Sequence, residues 1–159
     1  MIGVNTKVIT KDKRLKDIRR ELKNAFATVG IHQEDNAQYV DDEGDRQPVT
    51  YAQLGHIFEM GLGQPRRPWL TEGINTNIEV IKKIAQKGIK AVTNGTMKIK
   101  TATEMLGDAA ALGIVDQISK RPSPYAANKQ STLKHKDGNQ PLVDTGGFKA
   151  RIKSKAHVK

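Results

Sequence analysis

The residues with the chemistry for catalysis are few and scattered along the chain. The 159 residues include four histidines and no cysteine, which excludes thiolate nucleophiles, disulfides and Cys-based metal sites. His56 and Glu59 are three residues apart, a spacing that places them side by side on a helix and would suit a general-base pair. A surface or structural pair explains the same spacing, and no nucleophile motif accompanies it. We therefore expect no catalytic site and no enzyme activity.

Metal and phosphate sites have equally little support. Residues 33–47 are acidic, but they lack the alternating ligands and the closing Glu of a calcium loop. Gly61-Leu62-Gly63 lacks a third glycine and is followed by prolines, unlike a phosphate-binding loop. We expect neither a metal nor a cofactor.

The formal net charge of +10 is concentrated at the two ends of the chain. Residues 120–159 contain ten Lys/Arg and two Asp, whereas residues 24–119 contain nine Lys/Arg and twelve Asp/Glu. Basic ends around an acidic middle suit self-assembly or a lumen that passes DNA, although part of this charge serves only solubility. The basic face expected to meet a partner or DNA comprises Arg19, Arg20, Lys149, Arg151, Lys153 and Lys155.

Non-specific nucleic-acid binding is the main alternative function. A basic helix over residues 11–23 and a basic C-terminal strand would both supply phosphate contacts. Aromatic residues make up only 4% of the chain, which leaves few for base stacking, and no helix-turn-helix, zinc-finger or RNP pattern occurs. Sequence-specific binding is therefore not expected.

The sequence offers no sign of membrane insertion or secretion. No apolar run approaches the roughly 18 residues of a membrane span. Residues 1–5 lack the charged leader and apolar region of a secretory signal.

Hydrophobic spacing predicts several helices that would carry these residues. A short strand is expected over residues 2–10, a helix over 13–28, a possible strand at Ile31 and an acidic loop or hairpin insert over 33–49. Two capping-box patterns, Thr50–Gln53 and Thr101–Glu104, predict helices that run to Met60 and Ser119. A long helix is expected over 71–92. The apolar stripe predicted for the helix ending at Ser119 comprises Met105, Leu106, Ala109, Leu112 and Ile118.

The C-terminal end has the clearest periodicity. From Phe148 to Val158 apolar and basic residues alternate, which predicts a strand with one apolar and one basic face. Asp144, Thr145 and Gly146 precede it as a turn. The whole pattern predicts one α+β domain over residues 1–159. A small, mostly antiparallel sheet made from both chain ends would be packed by three or four helices.

A proline-rich connector, Pro65-Arg66-Arg67-Pro68-Trp69, joins the two helices in the middle of the chain. Prolines restrict its backbone and Trp69 supplies a large apolar anchor. Trp69 would pack into its own core, or Trp69 and the arginines would cross a subunit interface, where both residue types are favoured.

Several segments, in order, resemble the tail-completion and virion-morphogenesis proteins of tailed phages. Glu59-Met60-Gly61 and the connector look like the family's helix end and its Pro-x-Arg-Pro-aromatic motif. The resemblance runs roughly from Thr50 to the C-terminus, with departures at Met60, where the family has an aromatic residue, and at Gly147-Phe148. A second motif falls on Asn128, Ser131, Thr132, Lys136, Gly138, Pro141, Leu142, Asp144, Thr145, Gly146 and Ile152.

The resemblance implies a structural role in a virion. It implies a ring of copies, hexameric by analogy with the family, that joins or caps the tail at the head–tail interface after assembly in the host cytoplasm. The implied partners are other copies, tail-tube or tail-terminator proteins, head-connector proteins and DNA in the lumen. The expected interface residues are Pro65, Arg66, Arg67, Pro68, Trp69, Asp144, Thr145 and Gly146.

Overall fold

The computed structural model describes residues 3–41, 43–134, 138–143 and 146–158, and its fold is α+β, as predicted. The main helices are α1 (Gly3–Asn24), α2 (Tyr51–Met60), α3 (Trp69–Thr76), α4 (Ile78–Asn94) and α5 (Ile99–Ser119). Two single-turn helices follow, α6 (Gln130–Leu133) and α7 (Gly147–Ala150). The strands are β1 (Phe26–Gly30), β2 (Gln38–Val40), β3 (Arg46–Thr50) and β4 (Lys153–His157).

The strands form two small antiparallel pairs. β1 pairs with β4 from Phe26 opposite His157 to Gly30 opposite Lys153, so the C-terminal strand pairs antiparallel, but with residues 26–30 instead of the strand predicted over 2–10. β2 and β3 form a hairpin, one of the two alternatives predicted for the acidic insert. Because a two-stranded ribbon is marginal alone, the packing of β1 and β4 against α5 is needed to hold them.

The predicted elements of the N-terminal region are partly wrong. Residues 3–24 form one helix, where a strand over 2–10 had been expected, and no strand begins at Ile31. Residues 11–23 are rich in Lys, Arg and Leu, which favour helix. The helix ends at Asn24, short of the predicted Thr28, because residues 26–30 pair with β4 instead.

The helix predicted over 71–92 is two helices that meet at Asn77. The Asn77 side-chain amide donates to the Gly73 carbonyl (2.9 Å) and to the Gly113 carbonyl of α5 (3.1 Å). These two bonds tie the junction to α5. Hydrophobic spacing does not predict this break, because one of the Asn77 hydrogen bonds is made to α5, which is distant in the sequence.

The two predicted capping boxes have different outcomes. At Thr50 the box is present, with Gln53 N donating to Thr50 Oγ1 (3.3 Å) and Thr50 N donating to Gln53 Oε1 (2.8 Å). At Thr101 the prediction is wrong, since α5 begins two residues earlier at Ile99. Thr103 lies inside the helix, where its hydroxyl donates to the Ile99 carbonyl (2.9 Å).

The buried face of α5 also differs from the predicted stripe. Ile118 is fully buried as predicted, but Met105 is 46% exposed and Leu112 is 64% exposed. Ile114, which the predicted stripe did not include, is fully buried. Small residues allow α5 to approach its neighbours closely. A Cβ added at Gly107 would lie 2.8 Å from the Ser154 Cβ of β4. The face of α5 that packs against β1 and β4 is therefore the one whose small residues allow close contact. It is not the face with the most large apolar residues.

The C-terminal strand is shorter than predicted. Residues 147–150 form the turn of α7, and only Lys153–His157 are strand. Phe148 and Ile152, four residues apart, are both buried in the core. That core also contains Tyr51, Trp69, Ile114, Ile118, Tyr125 and Leu142.

Candidate functional site

The connector predicted as an interface segment is held tightly within the chain. α2 ends at Gly61, whose positive φ of 75° suits glycine. A Cβ at Gly61 would lie 2.9 Å from the Arg66 Cβ, so the chain turns back closely on itself. Arg67 N then donates to the Phe58 carbonyl (2.8 Å), and Arg66 Nε donates to the Glu59 carbonyl (2.9 Å).

Arg67 is the most constrained residue of the connector. It is only 4% exposed. Its Nε donates to the Ala126 carbonyl (2.9 Å), and its Nη2 donates to the Ala127 carbonyl (3.0 Å) and to Asn128 Oδ1 (3.2 Å). Its Nη1 makes a longer contact with Gln64 Oε1 (3.4 Å). Burial lowers the pKa of Arg67, because the charged form loses solvation.

Trp69 anchors the other end of the connector, as one of the two sequence interpretations expected. It is 5% exposed, and its Nε1 donates to the Gly55 carbonyl of α2 (2.8 Å). Its ring packs edge-to-face on Phe148, with centroids 5.0 Å apart. Trp69 therefore serves the core of its own chain, as does Arg67. In the connector, only Arg66 has an exposed side chain, while Pro65 and Pro68 are half-buried.

Two of the remaining predicted interface residues, Asp144 and Thr145, lie outside the described residues. The third, Gly146, has a φ of 84° and immediately precedes α7. A left-handed conformation of this kind favours glycine. Of the predicted turn, Gly146 alone lies within the described residues.

Glu59, the acid of the candidate general-base pair, has a structural use. Its carboxylate accepts from Leu70 N (2.9 Å), Thr71 N (3.3 Å) and Thr71 Oγ1 (2.5 Å) at the start of α3. An acid at a helix N-terminus satisfies free N–H groups and complements the helix dipole. His56 is exposed on α2. Glu59 thus orders the connector by capping the helix that follows it.

The predicted basic face divides into separate surfaces. Arg19 and Arg20 are exposed on α1, and Arg20 pairs with Asp17 in the same helix (3.2 Å). Nearer the C-terminus, Lys149 Nζ donates to Ser119 Oγ (3.1 Å). The Arg151 guanidinium lies 4.0 Å from the centre of the Tyr51 ring, a cation–π geometry.

The lysines of β4 are paired with acids from the same chain. Lys153 contacts the Asp35 carboxylate and Lys155 contacts the Glu34 carboxylate, both from the turn at residues 33–35. The hydrogen bond from Lys155 lowers the pKa of Glu34. The acidic insert and the basic strand, read separately in the sequence, therefore offset each other in the fold. Opposite charge was the only signal for this contact, and it did not specify the pairing.

A groove that the sequence did not predict lies beside the connector. Its volume is about 430 Å³, and we call it the connector groove. Its lining includes the apolar residues Leu54, Phe58, Leu142 and Phe148 and the polar residues Gln64 and Arg67. Each was visible in the sequence as a core or connector residue, but only the fold brings them around one space.

The described residues include no group of three or more His, Asp or Glu side chains able to hold a metal ion. None of the helices in the described ranges has the length and apolar character of a membrane crossing. No protein-family model, curated protein or solved structure matches this chain.

Proposed function

We propose that this chain is a structural component of a tailed-phage virion, a tail-completion or neck protein. Copies would form a ring, six by analogy with the family it resembles, that joins or caps the tail at the head–tail interface. Tail-tube or tail-terminator proteins and head-connector proteins would contact its two sides, and DNA would pass through the lumen.

The proposal rests on one observation, the linkage of the two segments that carry the resemblance. The connector and the segment after Pro124 are about sixty residues apart in sequence, yet Arg67 donates to Ala126, Ala127 and Asn128. Trp69 adds a ring contact to Phe148. Both motifs thus belong to one framework, which is what an architectural part requires. Their side chains are used for packing and backbone hydrogen bonds.

Fewer connector side chains are free to contact neighbouring copies than the sequence predicted. Arg67 and Trp69 are buried in their own chain and would act on an interface only by holding its shape. Arg66 is exposed beside them and is the connector residue best placed to meet a neighbour.

Non-specific nucleic-acid binding remains the alternative, and α1 is the surface that favours it. Arg19 and Arg20 are exposed, together with Lys16 and Lys23 on the same helix. Lys153 and Lys155 contribute less than their charges suggest, because Asp35 and Glu34 partly neutralise them. In a ring, the same helix would suit the wall of a DNA channel.

Mass photometry and negative-stain microscopy of the purified chain, alone and with tail-tube and head-connector proteins, would test the proposal. We expect rings with an open centre, and Arg66→Glu should weaken them more than the charge-matched control Lys83→Glu on α4. A chain that stays monomeric under all these conditions and binds DNA with a steep salt dependence would support the alternative. Cryo-electron microscopy of the phage particle should place the chain at the neck, and density found elsewhere would refute the proposal.

A further inference from the structure

The connector groove combines an apolar wall with an unusual cation. Phe58, Leu142 and Phe148 supply ring and aliphatic surface, and the Arg67 guanidinium lies over the Phe58 ring, 5.9 Å from its centre. A volume of about 430 Å³ accommodates a few amino-acid side chains. Mixed grooves of this kind suit a ligand with one charged group next to apolar ones.

Arg67 is a buried cation whose partners in the described part of the chain are neutral oxygens and the face of the Phe58 ring. A guanidinium has five N–H donors, and Nε and Nη2 use three of them on the 126–128 segment. Nη1 has two donors, and its contact with Gln64 is 3.4 Å long. Among the described residues, no carboxylate lies within ion-pair distance of Arg67. Buried charges are ordinarily paired, so the positive charge at Nη1 is incompletely compensated.

One further cation and one acid also line the connector groove. Lys129 also lines the groove, and its ammonium donates to the Gly63 carbonyl over a long distance of 3.5 Å. Asp41 also lines the groove and accepts from Asp45 N (2.8 Å) and from Gln47 Nε2 (2.5 Å) within its own hairpin. Because these donors are neutral, Asp41 keeps its negative charge, and the lining carries two cations, Arg67 and Lys129, against this one acid.

We propose that the connector groove binds a short segment of a partner protein in which a carboxylate side chain stands next to aliphatic or aromatic residues. The carboxylate would accept from Arg67 Nη1 and approach the Lys129 ammonium, while the neighbouring apolar side chains cover Phe58 and Leu142. Charge complementarity selects this occupant over a purely apolar one. The proposal holds whether or not the chain forms a ring.

An array of short peptides, each made in an acidic form and as its amide twin, provides the probe. Asp or Glu flanked by Leu, Val or Phe would be compared with Asn or Gln in the same context. Fluorescence of Trp69, the one tryptophan of the chain, reports on the groove because its ring contacts Phe148. We expect the best acidic peptides to bind about tenfold more tightly than their twins, a typical gain from a charge-assisted hydrogen bond.

The sharpest test is a substitution that places an acid inside the connector groove itself. Gln64→Glu is isosteric and puts a carboxylate beside Arg67 Nη1, so it should remove the preference for acidic peptides without disturbing the fold. Gln86→Glu, exposed on α4, makes the same change in net charge and should leave the preference intact. Lys129→Gln should reduce it partially.

Three results would overturn the proposal. The first is that acidic peptides bind no better than their amide twins. The second is that Gln64→Glu retains the full preference for acidic peptides, which would place the anion elsewhere. Loss of self-association in Gln64→Glu, with no peptide binding by the wild type, would identify a second copy as the occupant instead of a partner protein.

Discussion

The connector and strand β4 are both basic segments, but they use their charge in opposite ways. Arg67 in the connector is 4% exposed and bonds to neutral oxygens of a distant segment. Lys153 and Lys155 in β4 have side chains 54% and 47% exposed and bond to carboxylates. Desolvation makes the first arrangement costly to disturb, whereas water screens the second. Position in the fold, rather than charge count, therefore decides what a basic residue contributes to stability.

Replacing Arg67 should have the largest effect. Arg67→Met removes hydrogen bonds from a charged donor to three acceptors, and we expect a loss of about 3 kcal/mol in the free energy of unfolding. Urea denaturation followed by circular dichroism would measure it. Arg66→Met, one residue away but exposed, should cost under about 1 kcal/mol. Equal losses for the two arginines would contradict the contrast drawn between buried and exposed charge.

The second largest loss of stability is expected from adding a methyl group at Gly73 of α3, the helix that begins at the end of the connector. A Cβ at Gly73 of α3 would lie 2.7 Å from the Ile114 Cα, and backbone cannot move aside easily. Overpacking outweighs the better helix propensity of alanine, so Gly73→Ala should destabilise the fold by about 2 kcal/mol. Gly88→Ala is the matched control, since its Cβ would lie 3.2 Å from the Ala102 Cβ. A thermal melt showing a larger loss for Gly88→Ala would break the argument.

Removing the N-terminal cap of α2 should have an intermediate effect on stability. The cap is exposed, but its hydrogen-bond geometry is specific. Thr50→Ala removes the hydroxyl that accepts from Gln53 N, and we expect a loss of about 1 kcal/mol. Thr50→Ser keeps the hydroxyl and should restore most of the stability in the same denaturation assay. Failure of the serine variant to recover would show that the methyl group, not the cap, matters.

The β4 ion pairs should give the smallest effect, which is best seen as a titration. The hydrogen bond from Lys155 lowers the pKa of Glu34 below its ordinary value of 4.5. Lys155→Gln should therefore raise that pKa, as measured by NMR of the Glu34 side chain. Lys83→Gln, remote on α4, should leave it unchanged.

The same pair sets a direction for the dependence of stability on pH. Because the pKa of Glu34 is depressed in the folded state, the pair stabilises the fold above the unfolded-state value of 4.5 and loses this contribution as the pH falls through the folded-state pKa. Lys155→Gln should flatten the acidic part of the stability profile. An unchanged profile would mean that solvent screens the pair completely.

Local signals in the sequence were reliable where a few neighbouring residues set the structure. The Thr50–Gln53 box starts α2, and the acidic insert forms a hairpin because its breakers and polar residues favour a turn. The Thr101–Glu104 pattern looked alike but failed, since α5 extends back to Ile99. Because α5 begins at Ile99, the Glu104 N–H that the Thr101 hydroxyl would cap already lies within the helical hydrogen-bond pattern, and the sequence does not show where the helix begins.

Most of the candidate site was not predictable in this way. The sequence identified Arg67 and Trp69 as notable residues but not their burial. The contacts that bury them come from residues 126–128 and 148, roughly sixty to eighty positions away. Similarly, the pairing of Lys155 with Glu34 depends on the return of the last strand beside β1.

By itself, the sequence determined the α+β class, the basic ends and the start of α2. Composition, short-range hydrogen bonding and periodicity are sufficient for those features. Only the tertiary structure decided which basic residues are buried, which are neutralised by acids and which face the connector groove. Solvation and pairing of a charge depend on neighbours that the chain brings together only when it folds.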